Sequence, residues 1–326
     1  MPILKTITLH NTHGLRLEIC NYGATITALY IPNKQKGETN VIVGLDTAQA
    51  YTTTPYTDYG ICLGASIGRY AGRISDSKKE TLLTNDEFTY TDGVHLHGGT
   101  HGFDQKYWNI EEQEDHTTVT LSYLSVHMEE GYPGNLKVVV TYTLTEDNEV
   151  VITYTATTDA TTYLNLTNHA YFNLDGERNV LDHTLRISSD QYLEVLPNLI
   201  PTGTLKETAY TRFDRKEVSQ IGRPDFLGYD DTFVLNDHPI KASLFSAKTG
   251  IHMDVYTNQP GMVVYTPKQL PEIPYKEQAI YGPFSAICFE TQNFPDAPHH
   301  PHFPSALLHP EETYSNESRF VFTLIG

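Results

Sequence analysis

One histidine, three asparagines, a threonine and a tyrosine lie among apolar residues in the segment 165–174, NLTNHAYFNL. Strand alternation predicts one face with Leu166, Asn168, Ala170, Phe172 and Leu174, and the other with Thr167, His169, Tyr171 and Asn173. A strand with one apolar and one hydrogen-bonding face suits the floor of a polar pocket. Imidazole titrates near neutral pH, so His169 could exchange a proton with a bound ligand. The alternative is a buried histidine with a purely structural role.

A second chemically capable residue is Glu290, which follows an alternating apolar run. Ile287 and Phe289 alternate with Cys288 and Glu290, which predicts a buried strand. A carboxylate at the end of a buried strand is costly unless it is paired or used in chemistry. A glutamate with a raised pKa opposite a histidine would form an acid–base couple. The alternative is a structural hydrogen-bond anchor.

Residues 64–68, GASIG, match the nucleophile elbow of hydrolases. That elbow requires a strand before it and a helix after it, and Gly72 lies inside the helix that would have to follow. We therefore favour a glycine-rich loop that projects Arg69 or Arg73 towards a ligand. A guanidinium is a rigid fork of donors suited to holding ligand oxygens. For either arginine, a surface ion pair is the alternative.

Two groups of histidines invite a metal-site interpretation. His95 and His97 would share one face of a strand, with His101 close behind, but residues 98–102 offer no carboxylate to complete a metal site. We favour a hydrogen-bonding His97 beside a glycine turn. The histidines at 299, 300 and 302 alternate with prolines and predict an exposed or loop-packing stretch without function.

The elements that must position these residues are short strands. The clearest hairpin joins residues 136–144 to 150–156 through a turn at 146–149. Other predicted strands lie at 15–19, 26–31, 117–126, 184–188, 192–196, 251–256, 262–266, 286–290 and 319–325. Helix patterns are confined to residues 47–51 and 214–221. Strands without a linker or repeat predict an all-β fold, a large antiparallel β-sandwich forming a single domain over 1–326.

Composition narrows the partners and the compartment. The net charge of −18 repels phosphate backbones and anionic lipids, so a small neutral molecule is favoured over nucleic acid or a membrane. The three cysteines, odd in number and far apart, argue against disulfides and thiolate metal sites and suit a reducing compartment. The N-terminus lacks a signal-peptide pattern, and no apolar run approaches the roughly 20 residues of a membrane span. The expected location is cytoplasmic.

Seven motifs, taken in order, resemble the aldose 1-epimerase (galactose mutarotase) family over nearly the whole chain. They lie at residues 68–74, 96–99, 130–134, 165–174, 201–203, 259–261 and 289–297. The resemblance implies a galactose mutarotase-like β-sandwich that interconverts the α- and β-anomers of free sugars. It also implies chemistry without a cofactor or a metal.

The resemblance also implies roles for particular residues. Glu290 corresponds to the general base of the family and His169 to its general acid. Arg73, His97 and Asp230 correspond to residues that bind the substrate.

This chain departs from the family pattern at two positions. Asp231 stands where the family commonly has histidine, so either Asp230 or Asp231 could contact the substrate. Val263 stands where some members carry a glutamine that contacts the sugar. Both departures bear on the preferred sugar more than on the reaction.

Two other functions stay open from the sequence. A glycoside-processing enzyme could use Glu290 and Asp230 as paired carboxylates. A carbohydrate-binding β-sandwich would bind sugar without catalysis. The sequence also leaves open the preferred sugar, whether glucose, galactose, a pentose or a disaccharide, and whether the chain is a monomer or a dimer.

Overall fold

A computed structural model describes residues 3–76, 90–114, 116–224 and 226–326 of the chain. Short strands dominate this part of the chain. In chain order they are β1 (Thr6–His10), β2 (Arg16–Cys20), β3 (Thr25–Pro32), β4 (Glu38–Asn40), β5 (Ser66–Ile67), β6 (Arg73–Ser75), β7 (Val94–Leu96), β8 (Asn109–Glu114), β9 (Thr118–Ser125), β10 (Leu136–Leu144), β11 (Glu149–Thr158), β12 (Thr162–Tyr163), β13 (Thr167–Asn168), β14 (Tyr171–Phe172), β15 (Thr184–Ile187), β16 (Gln191–Val195), β17 (Pro201–Glu207), β18 (Ser219–Gln220), β19 (Asp230–Val234), β20 (Ala242–Phe245), β21 (Ile251–Thr257), β22 (Gly261–Tyr265), β23 (Ile287–Gln292), β24 (Leu307–Leu308) and β25 (Tyr314–Leu324).

Helical structure in the described ranges is brief. It comprises one four-residue α-helix, α1 (Tyr56–Tyr59), and the 3₁₀ turns Ala48–Thr52, Phe103–Gln105, Glu129–Gly131, Lys276–Gln278 and Ala297–His299.

Two large sheets organise the described residues. A nine-stranded sheet has the order β18-β15-β20-β21-β25-β11-β10-β9-β8, and a six-stranded sheet has the order β14-β23-β22-β19-β16-β17. Neighbouring strands pair antiparallel throughout both sheets. The predicted hairpin is β10 with β11, where Leu144 lies opposite Val150. The antiparallel β-sandwich is therefore confirmed.

The main hydrophobic core joins the inner faces of both sheets. Val140 and Ile152 contribute from the nine-stranded sheet, and Val264 and Phe289 contribute from the six-stranded sheet. Direct contact between the two sheets includes the rings of Phe172 and Phe320, whose centroids lie 5.0 Å apart. Burying an apolar side chain of this size contributes about 1.5–3 kcal/mol. We propose a single domain over 1–326, supported by this shared core.

The prediction of one continuous strand over 165–174 was wrong. β13 pairs with β5, whereas β14 pairs with β23 in the six-stranded sheet. The chain changes sheets at His169 and Ala170, because the backbone of His169 bonds to the loop at residues 64–65. Every residue of the segment is buried, on both sides of the strand pattern.

The two helix predictions had different outcomes. Near 47–51 the chain forms the 3₁₀ turn Ala48–Thr52, in which Thr47 Oγ1 accepts the N–H of Ala50 at 3.3 Å. The segment 214–221 is not helical. Its buried Arg215 donates to the carbonyls of Gln220 and Ile221, and these bonds hold the segment in turns that lead into β18.

The cysteines and the helices bear on two of the predictions from composition. Cys20, Cys62 and Cys288 are all free and buried. In the described ranges, no helix combines the length and the hydropathy that crossing a bilayer requires.

Candidate active site

The outer face of the six-stranded sheet forms the floor of a pocket of about 160 Å³. Because side chains alternate along a strand, Phe289 and Val264 face the core while Glu290 and Val263 face the pocket. Val263 lies directly opposite Glu290 on one neighbouring strand and opposite Thr232 on the other side. These three residues form the first row of the floor.

A second row crosses the same face two residues further along β22, at Tyr265. Tyr171 lies opposite Cys288, Cys288 opposite Tyr265, and Tyr265 opposite Asp230. Tyr171, Tyr265 and Asp230 line the pocket, and Cys288 is completely buried. The sequence interpretation missed Tyr265 as a pocket residue. The alternation that places Val263 on this face also places Tyr265 there, two residues further on.

The strand register also explains how His169 meets Glu290. Tyr171 pairs antiparallel with Cys288, and His169 comes two residues before Tyr171 while Glu290 comes two residues after Cys288, so the chain enters this pairing beside Glu290. The Nε2 atom of His169 lies 3.4 Å from Oε1 of Glu290, and both side chains are buried. The two residues that the sequence marked as acid–base candidates are therefore in contact.

The backbone of His169 is held from both sides by the loop before β5. The N–H of His169 donates to the carbonyl of Ala65, and the N–H of Gly64 donates to the carbonyl of His169, both at 2.9 Å. Gly64 has a φ of +72°, and a Cβ at this position would lie 2.0 Å from the carbonyl oxygen of Ile26. The imidazole stacks on Tyr171, with ring centroids 4.9 Å apart. Backbone and ring are thus both fixed.

Ser66, the residue at the centre of the possible nucleophile elbow, is a structural residue. It is buried in β5, which is not followed by a helix. Its hydroxyl lies 2.8 Å from the hydroxyl of Tyr154 and 3.2 Å from that of Tyr142. The glycine-rich loop therefore positions His169 and does not present a nucleophile.

His97 reaches the pocket through a two-way clasp with Gly72. The N–H of His97 donates to the carbonyl of Gly72 at 2.9 Å, and the N–H of Gly72 donates to Nδ1 of His97 at 3.2 Å. Because a backbone N–H can only donate, Nδ1 is the unprotonated nitrogen of the neutral ring and Nε2 carries the hydrogen. Burial, followed by the neighbouring His169, holds the pKa of His97 well below its usual value. His97 is therefore a fixed, neutral hydrogen-bond donor.

Arg73 and Asp230 form a two-bond pair at the edge of the pocket. Nη2 of Arg73 donates to Oδ2 of Asp230 at 3.1 Å, and Nη1 donates to Oδ1 at 3.4 Å. The adjacent Asp231 points to the other side of β19 and accepts from Arg212 at 2.8 Å. Strand alternation thus places Asp230, and not Asp231, in the pocket.

Arg69, the other arginine of the glycine-rich loop, is structural. It is buried, and its guanidinium donates to the carbonyls of Ser125, Val126, Pro133 and Gly134. The motif at 130–134 thus supplies acceptors for a buried cation. Of the two arginines proposed as ligand-holding residues, only Arg73 lines the pocket.

The histidine stretch near the C-terminal end supports the strand that carries Arg73. The N–H of Asp296 donates to the carbonyl of Arg73 at 2.7 Å, and its Oδ1 accepts the N–H of Ser75 at 2.9 Å. His299 Nδ1 lies 2.6 Å from Oδ1 of Asp296, and His300 Nε2 lies 3.4 Å from Oδ2. His299 is buried, so of the two alternatives predicted for this stretch, loop packing is the correct one for His299. His302, in contrast, is exposed.

The metal site suggested by the histidines at 95, 97 and 101 is not formed. His95 is buried, with Nε2 2.9 Å from the hydroxyl of Tyr132. Among the described residues, the group that could hold a metal is instead His97, His169 and Glu290, with ligand atoms within 4.8 Å of one another. Two imidazoles and a carboxylate are a donor set that zinc accepts. The hydrogen on Nε2 of His97, however, would first have to leave or change nitrogen.

Burial and the neighbouring charges place the one proton of the acid–base pair on Glu290. Burial, and then the negative Asp230, raise the pKa of Glu290 from 4.5 to about 8. Burial, and to a lesser degree the positive Arg73, lower the pKa of His169 from 6.5 to about 4. At neutral pH both side chains are therefore uncharged, and the protonated histidine implied by the family resemblance is not the resting state.

Two atoms of this pair are left without partners. Nδ1 of His169 and Oε2 of Glu290 are buried, and neither has a hydrogen-bond partner among the described residues. Buried polar atoms are almost always satisfied in folded proteins. Unpaired polar atoms beside a pocket are therefore a sign of a site built for a polar ligand.

Comparison with known proteins identifies the family. The family model described as aldose 1-epimerase matches residues 5–321, and the chain belongs to this family. A galactose mutarotase of Homo sapiens is 38% identical over 327 residues, covering 95% of this chain and 92% of the relative. An aldose 1-epimerase of Haemophilus influenzae is 39% identical over 312 residues, covering 91% and 88%. The crystal structure of a GalM/aldose epimerase homologue from C. elegans aligns with a TM-score of 0.90 at 29% identity, over 99% of this chain and 100% of that one.

Proposed function

We propose that this protein is an aldose 1-epimerase, which interconverts the α- and β-anomers of free aldoses such as glucose and galactose. The observation that carries the proposal is the buried contact between His169 and Glu290, with pKa values displaced in opposite directions. Such displaced pairs mark acid–base roles in enzymes. The curated relatives, one named a galactose mutarotase and one an aldose 1-epimerase, support the same reaction.

The reaction needs one proton acceptor and one proton donor. The base removes the proton of the hydroxyl on C1, while the acid protonates the ring oxygen and the bond between C1 and that oxygen breaks. The open-chain aldehyde rotates about the bond between C1 and C2. Reclosure from the other face, with the two proton transfers reversed, gives the other anomer and returns the pair to its starting state.

Glu290 as base and His169 as acid account for both transfers. In the free site the one proton of the pair resides on Glu290. For His169 to act as the acid, this proton must pass from Glu290 to His169 across the 3.4 Å contact. The exchange leaves the total charge of the site unchanged. A positioned acid or base typically contributes about 10²–10⁴-fold to a rate.

The remaining pocket residues are proposed to hold the sugar. His97 offers its Nε2 hydrogen as a donor whose direction is set by the bond from Gly72. Arg73 and Asp230 together present both donors and acceptors, and their charges offset one another. Such a lining suits an uncharged polyhydroxyl ligand, and the acidic protein as a whole disfavours phosphorylated sugars.

Polarimetry on freshly dissolved α-glucose or α-galactose tests the proposal. The wild-type protein should accelerate the change in rotation, and Glu290→Gln and His169→Asn should each slow it at least about a hundredfold. Glu311→Gln, at an exposed position, is the control for Glu290. A near-wild-type rate in Glu290→Gln would overturn the assignment, and release of reducing ends from a disaccharide would indicate a glycoside-processing enzyme instead.

We also propose a cytoplasmic location, supported by the three free buried cysteines.

A further inference from the structure

Tyr265 occupies a central position on the pocket floor that the acid–base mechanism does not use. On β22 it lies two residues from Val263, on the same face, and directly opposite Asp230 on β19. Its diagonal neighbour across the strand pair is Glu290, since Val263 is opposite that residue. Opposite side chains in a sheet lie about 4.5–5.5 Å apart and diagonal ones about 7–8 Å, within reach of a tyrosine.

The ring of Tyr265 is held in place by its aromatic neighbours. It meets His169 and Tyr171 edge-on, with ring centroids 6.0 Å away in both cases. The ring is therefore oriented by contacts, and the hydroxyl at its end has a defined position. Tyr171 is the more deeply buried of the two pocket tyrosines, at 2% exposure, and Tyr265 is the more accessible.

The hydroxyl of Tyr265 is available to a ligand. It has no hydrogen-bond partner among the described residues, whereas the buried hydroxyls of Tyr70, Tyr142 and Tyr154 donate to backbone carbonyls. Burial raises the pKa of Tyr265 above its usual value. The hydroxyl therefore keeps its proton throughout the working pH range and can both donate and accept.

The order of residues across the floor indicates which part of the sugar it meets. Val263 lies opposite Glu290 in the first row, and His169, between β13 and β14, contacts Glu290 on the side away from β22. If the ring oxygen lies at His169 and C1 at Glu290, then C2, the other ring neighbour of C1, points towards the next strand, β22, with its hydroxyl. Val263 offers that carbon no polar atom, and Tyr265 is the polar side chain on the same strand and face.

We propose that Tyr265 is a substrate-contacting residue that hydrogen-bonds the C2 hydroxyl of the sugar. The contact makes the site prefer aldoses that carry this hydroxyl over their 2-deoxy counterparts. The inference rests on the proposed function for the orientation of the sugar.

A double-mutant cycle between enzyme and sugar tests the contact. Tyr265→Phe removes only the hydroxyl, which has no partner among the described residues, so we expect the fold to be kept. With glucose we expect kcat/KM to fall about three- to tenfold, the value of one neutral hydrogen bond. Wild-type protein should lose the same factor with 2-deoxyglucose, and the variant with 2-deoxyglucose should lose nothing more. Tyr210→Phe, at a fully exposed tyrosine, is the matched control.

Calorimetric titration with the same two sugars, each at its anomeric equilibrium, measures the contact with no net reaction and separates the two proposals. If losses from the variant and from 2-deoxyglucose simply add, or if Tyr265→Phe equals wild type, the C2 contact is refuted while the epimerase assignment stands. If wild type binds both sugars with the coupled pattern but does not accelerate anomer exchange, the function is wrong and the contact is supported.

Discussion

Replacing Glu290 by glutamine should stabilise the protein at alkaline pH although it destroys the proposed base. Glu290 is 2% exposed, and burial raises its pKa from 4.5 to about 8. Below pH 4.5 the folded and the unfolded chain both hold the proton. Between 4.5 and about 8 the unfolded chain has released it while the folded chain retains it, so the free energy of unfolding falls as the pH rises.

The size of this loss follows from the two pKa values. Each pH unit between 4.5 and about 8 is worth about 1.4 kcal/mol, so the loss reaches about 5 kcal/mol above pH 8. This figure is an upper limit, because His169, 3.4 Å away, can share the charge. Glutamine has nearly the same shape and does not titrate. The variant should therefore gain several kcal/mol over wild type above pH 8 and very little near pH 5.

Urea-induced unfolding at about pH 5 and about pH 8.5 measures the difference directly. The expected result is a pH-dependent gap between Glu290→Gln and wild type, with no such gap for the exposed control Glu311→Gln. An equal effect at both pH values would show that the substitution acts through packing. A variant less stable than wild type at pH 8.5 would refute the reasoning, because Glu290 would then be stabilised as a carboxylate.

Two further predictions concern activity. The pH profile of kcat/KM should be flat between about pH 4 and about pH 8, because His169 and Glu290 together hold one proton in this range. The value of kcat/KM should fall on either side of the range. An inflection near pH 6.5 would instead indicate an unperturbed histidine. Asp230→Asn should raise KM about tenfold, because Arg73 loses its charged partner. The same variant should move the alkaline limb of the pH profile to lower pH, because the negative Asp230 raises the pKa of Glu290. The control is Asp237→Asn, at an exposed position. An alkaline limb that does not move in Asp230→Asn would contradict the coupling between Asp230 and Glu290.

Local patterns predicted the strands but not how they meet. The hairpin of β10 and β11 could be predicted because alternation and a turn lie within one short segment. His169 and Glu290 lie 121 residues apart in the chain, and the pairing of β14 with β23 that joins them is a long-range choice. Residue types could suggest an acid–base couple of a glutamate and a histidine, while only the family resemblance named Glu290 and His169 as its members.

The errors have a physical cause in common, which is backbone bonding outside the regular ladders. Alternation over 165–174 is compatible with one strand, but the loop at residues 64–65 takes both backbone bonds of His169 and divides the segment between two sheets. At 214–221 the guanidinium of Arg215 donates to the carbonyls of Gln220 and Ile221 in its own segment, an arrangement that a helix pattern does not contain. The choice between Asp230 and Asp231, in contrast, could have been made from alternation, because Phe233 must face the core and Asp231 shares its side.

In the free site the proposed base, Glu290, is protonated and the proposed acid, His169, is not, which is the reverse of what the reaction requires. Burial neutralises both members of the pair, so that Glu290 carries the proton and His169 does not. A bound sugar would bring hydroxyl and ring oxygens to this buried pair, whose Nδ1 and Oε2 atoms have no partner among the described residues, and would thereby replace part of the lost solvation. The state with a negative Glu290 and a positive His169 would then form only while substrate is bound. The backbone bonds between His169 and residues 64–65, the clasp between His97 and Gly72 and the stacking of Tyr171 on His169 hold these groups in place while the protons move.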